Sequence, residues 1–185
     1  YGMVAFQDIR DRKQAEAQRE AFTRDLFQLN QAYQRFVPSQ FLQFLQKKSI
    51  VDVQLGDHVQ QEMSVLFADI RNFTALSEQM NPSENFNFIN AFLSRMEPAI
   101  REHNGFVDKY IGDEIMALFS GNADEAVQAG ISMFERLNLY NQHRANYDYA
   151  AIEIGIGINT GDLMLGTVGG FSRMDSTVIS DAVNL

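Results

Sequence analysis

Two acids stand out by their neighbours. Asp69 lies near the end of an apolar run, Ser64-Val65-Leu66-Phe67-Ala68-Asp69-Ile70, and Asp113 lies in a tight turn, Ile111-Gly112-Asp113. A carboxylate ending a buried strand is costly unless it is at an edge or has a partner. On adjacent strands of one sheet, two such acids could share a Mg²⁺, which takes carboxylates plus substrate phosphates rather than a full protein cage. The same spacing also describes two turn acids facing water, and spacing alone leaves both readings open. Just after the first acid, Arg71-Asn72-Phe73-Thr74 supplies backbone N–H groups, where a phosphate chain could sit.

The surroundings fit an acidic, cation-binding domain. The chain has 185 residues, which at about 150 residues per domain implies one domain plus an appendage. Apolar residues make up 45% and charged residues 21%, which excludes wholesale disorder. Residues 1–60 carry eight Lys/Arg and seven Asp/Glu; residues 61–185 carry seven and 17. The net charge of −9 disfavours a nucleic-acid or anionic-membrane surface. Cys is absent, which excludes disulfides, thiol catalysis and Cys-based zinc sites. His58, His103 and His143 are too scattered for a His-rich metal site. No run approaches the roughly 20 apolar residues that span a bilayer, and no signal peptide is visible. The expectation is a cytoplasmic fragment without membrane contact. Its start without Met and its abrupt Asp181-Ala182-Val183-Asn184-Leu185 end read as an excised piece of a longer protein, whose own tethering stays open.

The elements that would position the two acids follow from periodicity. Met3 to Ile9 reads as a short strand. Asp11 to Phe36 reads as one helix, free of Gly and Pro. Phe22, Leu26, Leu29, Tyr33 and Phe36 form an a/d stripe that Ala15 extends and Arg19 interrupts, so this helix predicts a short paired seam rather than a stable isolated coiled coil. Pro38 disfavours helix at Val37, and Phe41 to Leu45 reads as a second short helix. Then come a strand at Ser64–Ile70 and an amphipathic helix at Pro82–His103. The expected apolar face of that helix is Phe86, Ile89, Phe92, Leu93, Met96 and Ile100. Strands at Gly105–Tyr110 and Glu114–Phe119 form a hairpin around Ile111-Gly112-Asp113, followed by a helix at Ala123–His143. Ala151–Asn159 and Asp162–Val168 read as a second hairpin around Thr160-Gly161. Thr177–Ile179 begins a further strand, and Asp181–Leu185 reads as the first turn of a helix. The order β-α-β-β-α-β-β implies an α+β fold, an antiparallel or mixed sheet with helices on one face.

Three stretches now carry a resemblance. Phe67-Ala68-Asp69-Ile70-Arg71-Asn72-Phe73-Thr74, Asp108-Lys109-Tyr110-Ile111-Gly112-Asp113-Glu114-Ile115-Met116-Ala117, and Thr177-Val178-Ile179-Ser180-Asp181-Ala182-Val183-Asn184 resemble the class III nucleotidyl cyclase domain, most of all that of cyanobacterial adenylyl cyclases. The three motifs stand in the family's order, and the match covers residues 61–185. Residues 1–10 and the charged stretch after them resemble the end of a PAS sensor and its exit helix. The implied organisation is a sensor end at 1–10, a signalling helix at 11–36, a connector at 37–60 and a C-terminally incomplete catalytic domain at 61–185. The implied fold is the palm-type, ferredoxin-like sheet of that family.

By this resemblance, Asp69 and Asp113, with the Ile70 carbonyl, would hold two Mg²⁺ or Mn²⁺ ions. The ribose 3′-oxygen of ATP would attack the α-phosphorus and pyrophosphate would leave. Two metals at the attacking and leaving oxygens suit such an in-line displacement. The resemblance places the phosphates near Phe73 and Thr74, and makes Lys109 and Thr177 the readers of the base. A Lys donates to adenine N1 and a Thr hydroxyl accepts from N6, whereas guanine would need a carboxylate in place of Lys109. Asn184 resembles the family's ribose-orienting Asn. Sites in this family lie between two head-to-tail domains, so a homodimer would draw Asp69 and Asp113 from one copy and Lys109, Thr177 and Asn184 from the other. The N-terminal helix would pair as well and pass a signal to the sites.

The family pattern continues Asn-x-x-x-Arg, which puts that Arg beyond Leu185. If the chain ends there, weak turnover is expected, because transition-state charge stabilisation is worth several kcal/mol. Four rivals remain at this point, one of them a phosphate-binding or metal-storage protein, for which nothing beyond the acids speaks. Ile111-Gly112-Asp113-Glu114 loosely resembles the Gly-Gly-Asp-Glu-Phe loop of diguanylate cyclases, but Lys109 has no place there. A guanylyl cyclase fits poorly because of Lys109. A non-catalytic dimerisation module of the same fold has no physical need to keep Asp69, Asp113 and Lys109 together.

Overall fold

The computed structural model describes residues 2–170 and 172–183, with side chains from Arg12 onward. By internal contacts the chain divides into two units, residues 1–39 and 40–185.

The first unit is dominated by one helix, α1 (Gly2–Tyr33). The strand expected at Met3–Ile9 does not form, and those residues belong to the helix. As a helix this stretch satisfies its own backbone N–H and C=O groups locally. Phe22, Leu26, Leu29, Tyr33 and Phe36 are all exposed in the single chain.

The second unit opens with α2 (Ser39–Phe44), near the expected short helix. It then builds a five-stranded antiparallel sheet from β1 (His58–Ile70), β2 (Phe106–Ile111), β3 (Glu114–Phe119), β4 (Ile154–Gly170) and β5 (Arg173–Ile179). The strand order is β2-β3-β1-β4-β5. Helices α3 (Phe73–Ser77), α4 (Pro82–Glu102) and α5 (Ala123–Ala145) complete the domain. This is the expected α+β class, and every pairing is antiparallel.

Along the sheet, one sequence expectation fails in an instructive way. The hairpin around Thr160-Gly161 is absent, because β4 runs straight through it for 17 residues. Gly161 pairs with Met63 and Thr160 with Ser64, so the long β1 holds this stretch extended. The chain instead reverses after Gly169, whose φ of 130° a residue with a Cβ rarely adopts. The final expected helical turn is a 3₁₀ turn, Asp181–Val183.

One sheet face carries the largest apolar cluster, while Met63, Val65, Met116 and Leu118, which alternate with it along β1 and β3, are buried on the other. Along β1, Leu66, Ala68 and Ile70 point into a cluster with Ile115, Ala117 and Phe119 of β3 and with buried residues of α4 and α5. Helix α4 starts on a reciprocal cap: Asn81 accepts from the Glu84 N–H while Glu84 accepts from the Asn81 N–H. Its buried face runs through Phe88, Phe92, Met96 and Ile100, whereas Phe86, expected inside, is exposed. The four-residue spacing of the observed set stacks those side chains in one row. Among the described residues, no helix is long and apolar enough to cross a membrane.

Candidate active site

Alternation along β1 decides which way Asp69 faces. Leu66, Ala68 and Ile70 enter the helix-side core, so Phe67 and Asp69 point to the other face. Helices α4 and α5 pack on the Leu66–Ala68–Ile70 side, and Asp69 is half-buried on the opposite one. The β2–β3 turn places the second acid. Gly112 takes φ 66°, and the Ile70 N–H donates to Asp113 Oδ2 at 3.0 Å. The two sequence-predicted acids therefore meet at the end of β1. Glu114 stands beside them; burial first, then the charges of Asp69 and Asp113, push its pKa above the usual carboxylate value.

The base-reading candidates meet elsewhere in the same chain. β2 and β5 are the two edges of the sheet, yet Lys109 Nζ on β2 donates to the Ser176 carbonyl on β5 at 3.0 Å. The sheet must curl to bring its edges together. Thr177 is the next residue on β5 and is half-buried. Lys109 also pairs with Asp108 at 3.4 Å. Among the described residues, no hydrogen bond or ion pair joins this group to Asp69 or Asp113.

The phosphate candidates follow directly from the acid. Asn72 sits in the left-handed region at φ 56° and turns the chain into α3. Phe73 points inward: its ring lies 6.5 Å from that of Phe88, at 12° between planes. Only its backbone is left to face a ligand, while Thr74 is exposed. Asn184 lies outside the described residues. The segment leading to it is fixed, since Asn159 Nδ2 donates to the Ala182 carbonyl at 3.3 Å and the Ala182 N–H donates to Ser180 Oγ at 3.0 Å.

Three residues that sequence reasoning passed over sit in these groups. The β2–β3 register shifts between Val107 and Lys109, and the bulge accommodates Asp108. The Asp108 side chain is only 2% exposed. Burial raises its pKa, opposed by Lys109 and reinforced by Asp175. The available signal was two consecutive charges in a six-residue strand, a pattern that simple alternation cannot accommodate. Glu114 was legible only as part of the motif. Arg71 lays its guanidinium over Gly155, where any Cβ would collide with it.

Comparison with known proteins places this arrangement. The family described as "Adenylate and Guanylate cyclase catalytic domain" matches residues 56–185. A protein named adenylate cyclase from Anabaena cylindrica is 45% identical over 159 residues, covering 83% of this chain. The chain spans 32% of that relative's length. The crystal structure of the adenylyl cyclase CyaB from P. aeruginosa is 32% identical, with a TM-score of 0.64 over 69% of each chain. The guanylyl cyclase Cya2 is equally 32% identical, with a TM-score of 0.61 over 68% of this chain and 67% of that one. Overall likeness therefore does not choose the base, and that choice falls to individual side chains.

Proposed function

This chain belongs to the adenylate and guanylate cyclase catalytic domain family, and we propose that it converts ATP to 3′,5′-cyclic AMP and pyrophosphate at sites shared by two copies. The observation that carries the choice of ATP is the Lys109 ammonium held against β5 beside Thr177. A Lys there donates to adenine N1, and a Thr hydroxyl accepts from the N6 amine. Guanine presents an N–H at its own N1, which a Lys cannot serve.

The acid pair suits a divalent cation. Asp69 and Asp113 are half-buried oxygen donors of the hard type that Mg²⁺ and Mn²⁺ take. Glu114 responds to both charges, which marks a concentrated negative field that a cation would relieve. Asp69, Asp113 and the Ile70 carbonyl would hold two such ions. Bound ions would supply Lewis acidity and neutralise phosphate charge. The chain's own contributions are positional. The Ile70 N–H fixes the Asp113 carboxylate. The backbone of Phe73 and Thr74, at the start of α3, faces the phosphates. Asn184 orients the ribose.

Acid pair and base readers form two groups in one chain with no polar link between them, which supports a head-to-tail homodimer that completes each site from both copies. The exposed stripe from Phe22 to Phe36 supports pairing through α1 as well, and a role for residues 1–36 in carrying a sensor's signal, with 37–60 as the connector. Residues 61–185 would form the catalytic domain.

Product analysis with Mn²⁺ and either ATP or GTP tests the reading. The expected result is cyclic AMP in excess of cyclic GMP, reduced about a hundredfold or more by Asp69→Ala, with the ATP preference lost in Lys109→Glu. Cyclic AMP formation untouched by Asp69→Ala would refute the assignment of the acids.

A further inference from the structure

On the helix side of the sheet, away from the face that Asp69 shares, α3, α4, α5 and the loop after α5 enclose a cleft of about 830 Å³. That volume is in the range of small-molecule sites. Arg144 of α5 lines it although only 8% exposed. Its Nε donates to the Ala150 carbonyl at 2.9 Å. Its guanidinium carbon lies 5.2 Å from the Phe88 ring, 5.7 Å from Tyr140 and 5.4 Å from Tyr149. Exposed Arg95 of α4 stands 4.4 Å from the same Tyr140 ring. Neither arginine makes an ion pair among the described residues.

A buried cation without a counter-charge is expensive, and aromatic faces offset only part of that. The acids that line the cleft are Glu84, whose carboxylate is held by the Asn81 N–H at the α4 cap, and Asp148, and neither forms an ion pair with Arg95 or Arg144 among the described residues. Arg95 Nη1 donates to the Ala91 carbonyl and Arg144 Nε to the Ala150 carbonyl, and the remaining guanidinium N–H groups, both near the Tyr140 ring, are donors of the kind that a carboxylate, sulfonate or phosphate takes. Around them the walls are aromatic, and Tyr147 and Tyr149 stand at the rim, each 64% exposed. Flat rings of this kind take a flat apolar body.

We propose that this cleft is a second ligand site, one that takes a small organic anion with a flat apolar body, its charge at Arg144 and Arg95 and its body between the tyrosines. The site is separate from the nucleotide site and does not depend on the chain being a cyclase.

Isothermal titration of the 185-residue chain with 2-naphthoate, 2-naphthamide and inorganic phosphate tests this. The expected result is that naphthoate binds at least about tenfold more tightly than either control, because the amide lacks the charge and phosphate lacks the ring. Arg95→Met, on the exposed side of α4, weakens naphthoate binding by a similar factor, and Arg144→Lys does so where it folds. Lys109→Glu and excess Mg²⁺-ATP leave binding unchanged. The proposal fails if naphthoate does not bind, if the amide or phosphate binds as tightly, if Arg95→Met binds like the parent chain, or if ATP displaces the probe.

Discussion

Lys109 Nζ donates to the Ser176 carbonyl at 3.0 Å, and its charge lies 3.4 Å from Asp108, whose Oδ2 is buried without a hydrogen-bond partner among the described residues. If Lys109 reads the base, as proposed, Asp108 would act on that base indirectly, through the charge it sets beside the ammonium. Asp108 also bears on stability. Burial raises its pKa in the folded state above the ordinary value, so the ionised carboxylate opposes folding. That cost is fully present above the raised folded value and gone below the unfolded value near about 3.9. Asp108→Asn carries no charge at any pH. Its stability relative to the parent is therefore expected to be most favourable at pH 7 and to decline as pH falls toward about 4. Urea midpoints of both chains at the two pH values check the sign. A relative stability that rises on acidification would mean that the attraction of Lys109 outweighs burial.

The elements fix what single residues cannot. Gly105 at the end of α4 has no room for a side chain, because a Cβ there would enter the ring of fully buried Phe119. Gly105→Ala is expected to lower unfolding stability by about 1–3 kcal/mol, the usual range for overpacking. Chemical denaturation measures it, and a neutral result would mean that Phe119 can move aside. For α1, the stripe read from spacing is present and uncovered in the single chain. If it pairs with a second copy, Leu26→Glu combined with Leu29→Glu shifts the population toward monomer. Sedimentation velocity at matched concentrations reads this, and an unchanged profile would remove α1 from the dimer.

At the scale of the whole molecule, the decisive feature is the separation of the acid pair from the Lys109 group. A site completed across two copies predicts complementation. Asp69→Ala and Lys109→Glu are each expected to be inactive toward ATP. A mixture of the two forms heterodimers in which one site joins an intact Asp69 to an intact Lys109. Cyclic AMP formation is therefore expected to return on mixing, to a fraction of the parent rate. A mixture as silent as its components, with mixed dimers shown to form, would place each site within one chain.

The sequence by itself determined the family of the chain and the order of the motifs on which the proposed chemistry rests. Asp69 and Asp113 were conspicuous because apolar strands and tight turns make charged residues stand out, Lys109 was marked only by the family resemblance, and the amphipathic spacing of α4 and α5 was legible because helical packing has a fixed period. Local pattern misled wherever a distant partner had the last word. Thr160-Gly161 carries a turn signal, but thirteen residues of β1 hold it in a strand. Met3–Ile9 carries a strand signal in its residue types, but the backbone continues the helix that follows it. The meeting of Lys109 with β5 across 67 residues was invisible in the sequence, because it comes from the curl of a sheet whose edge strands no local pattern can bring together.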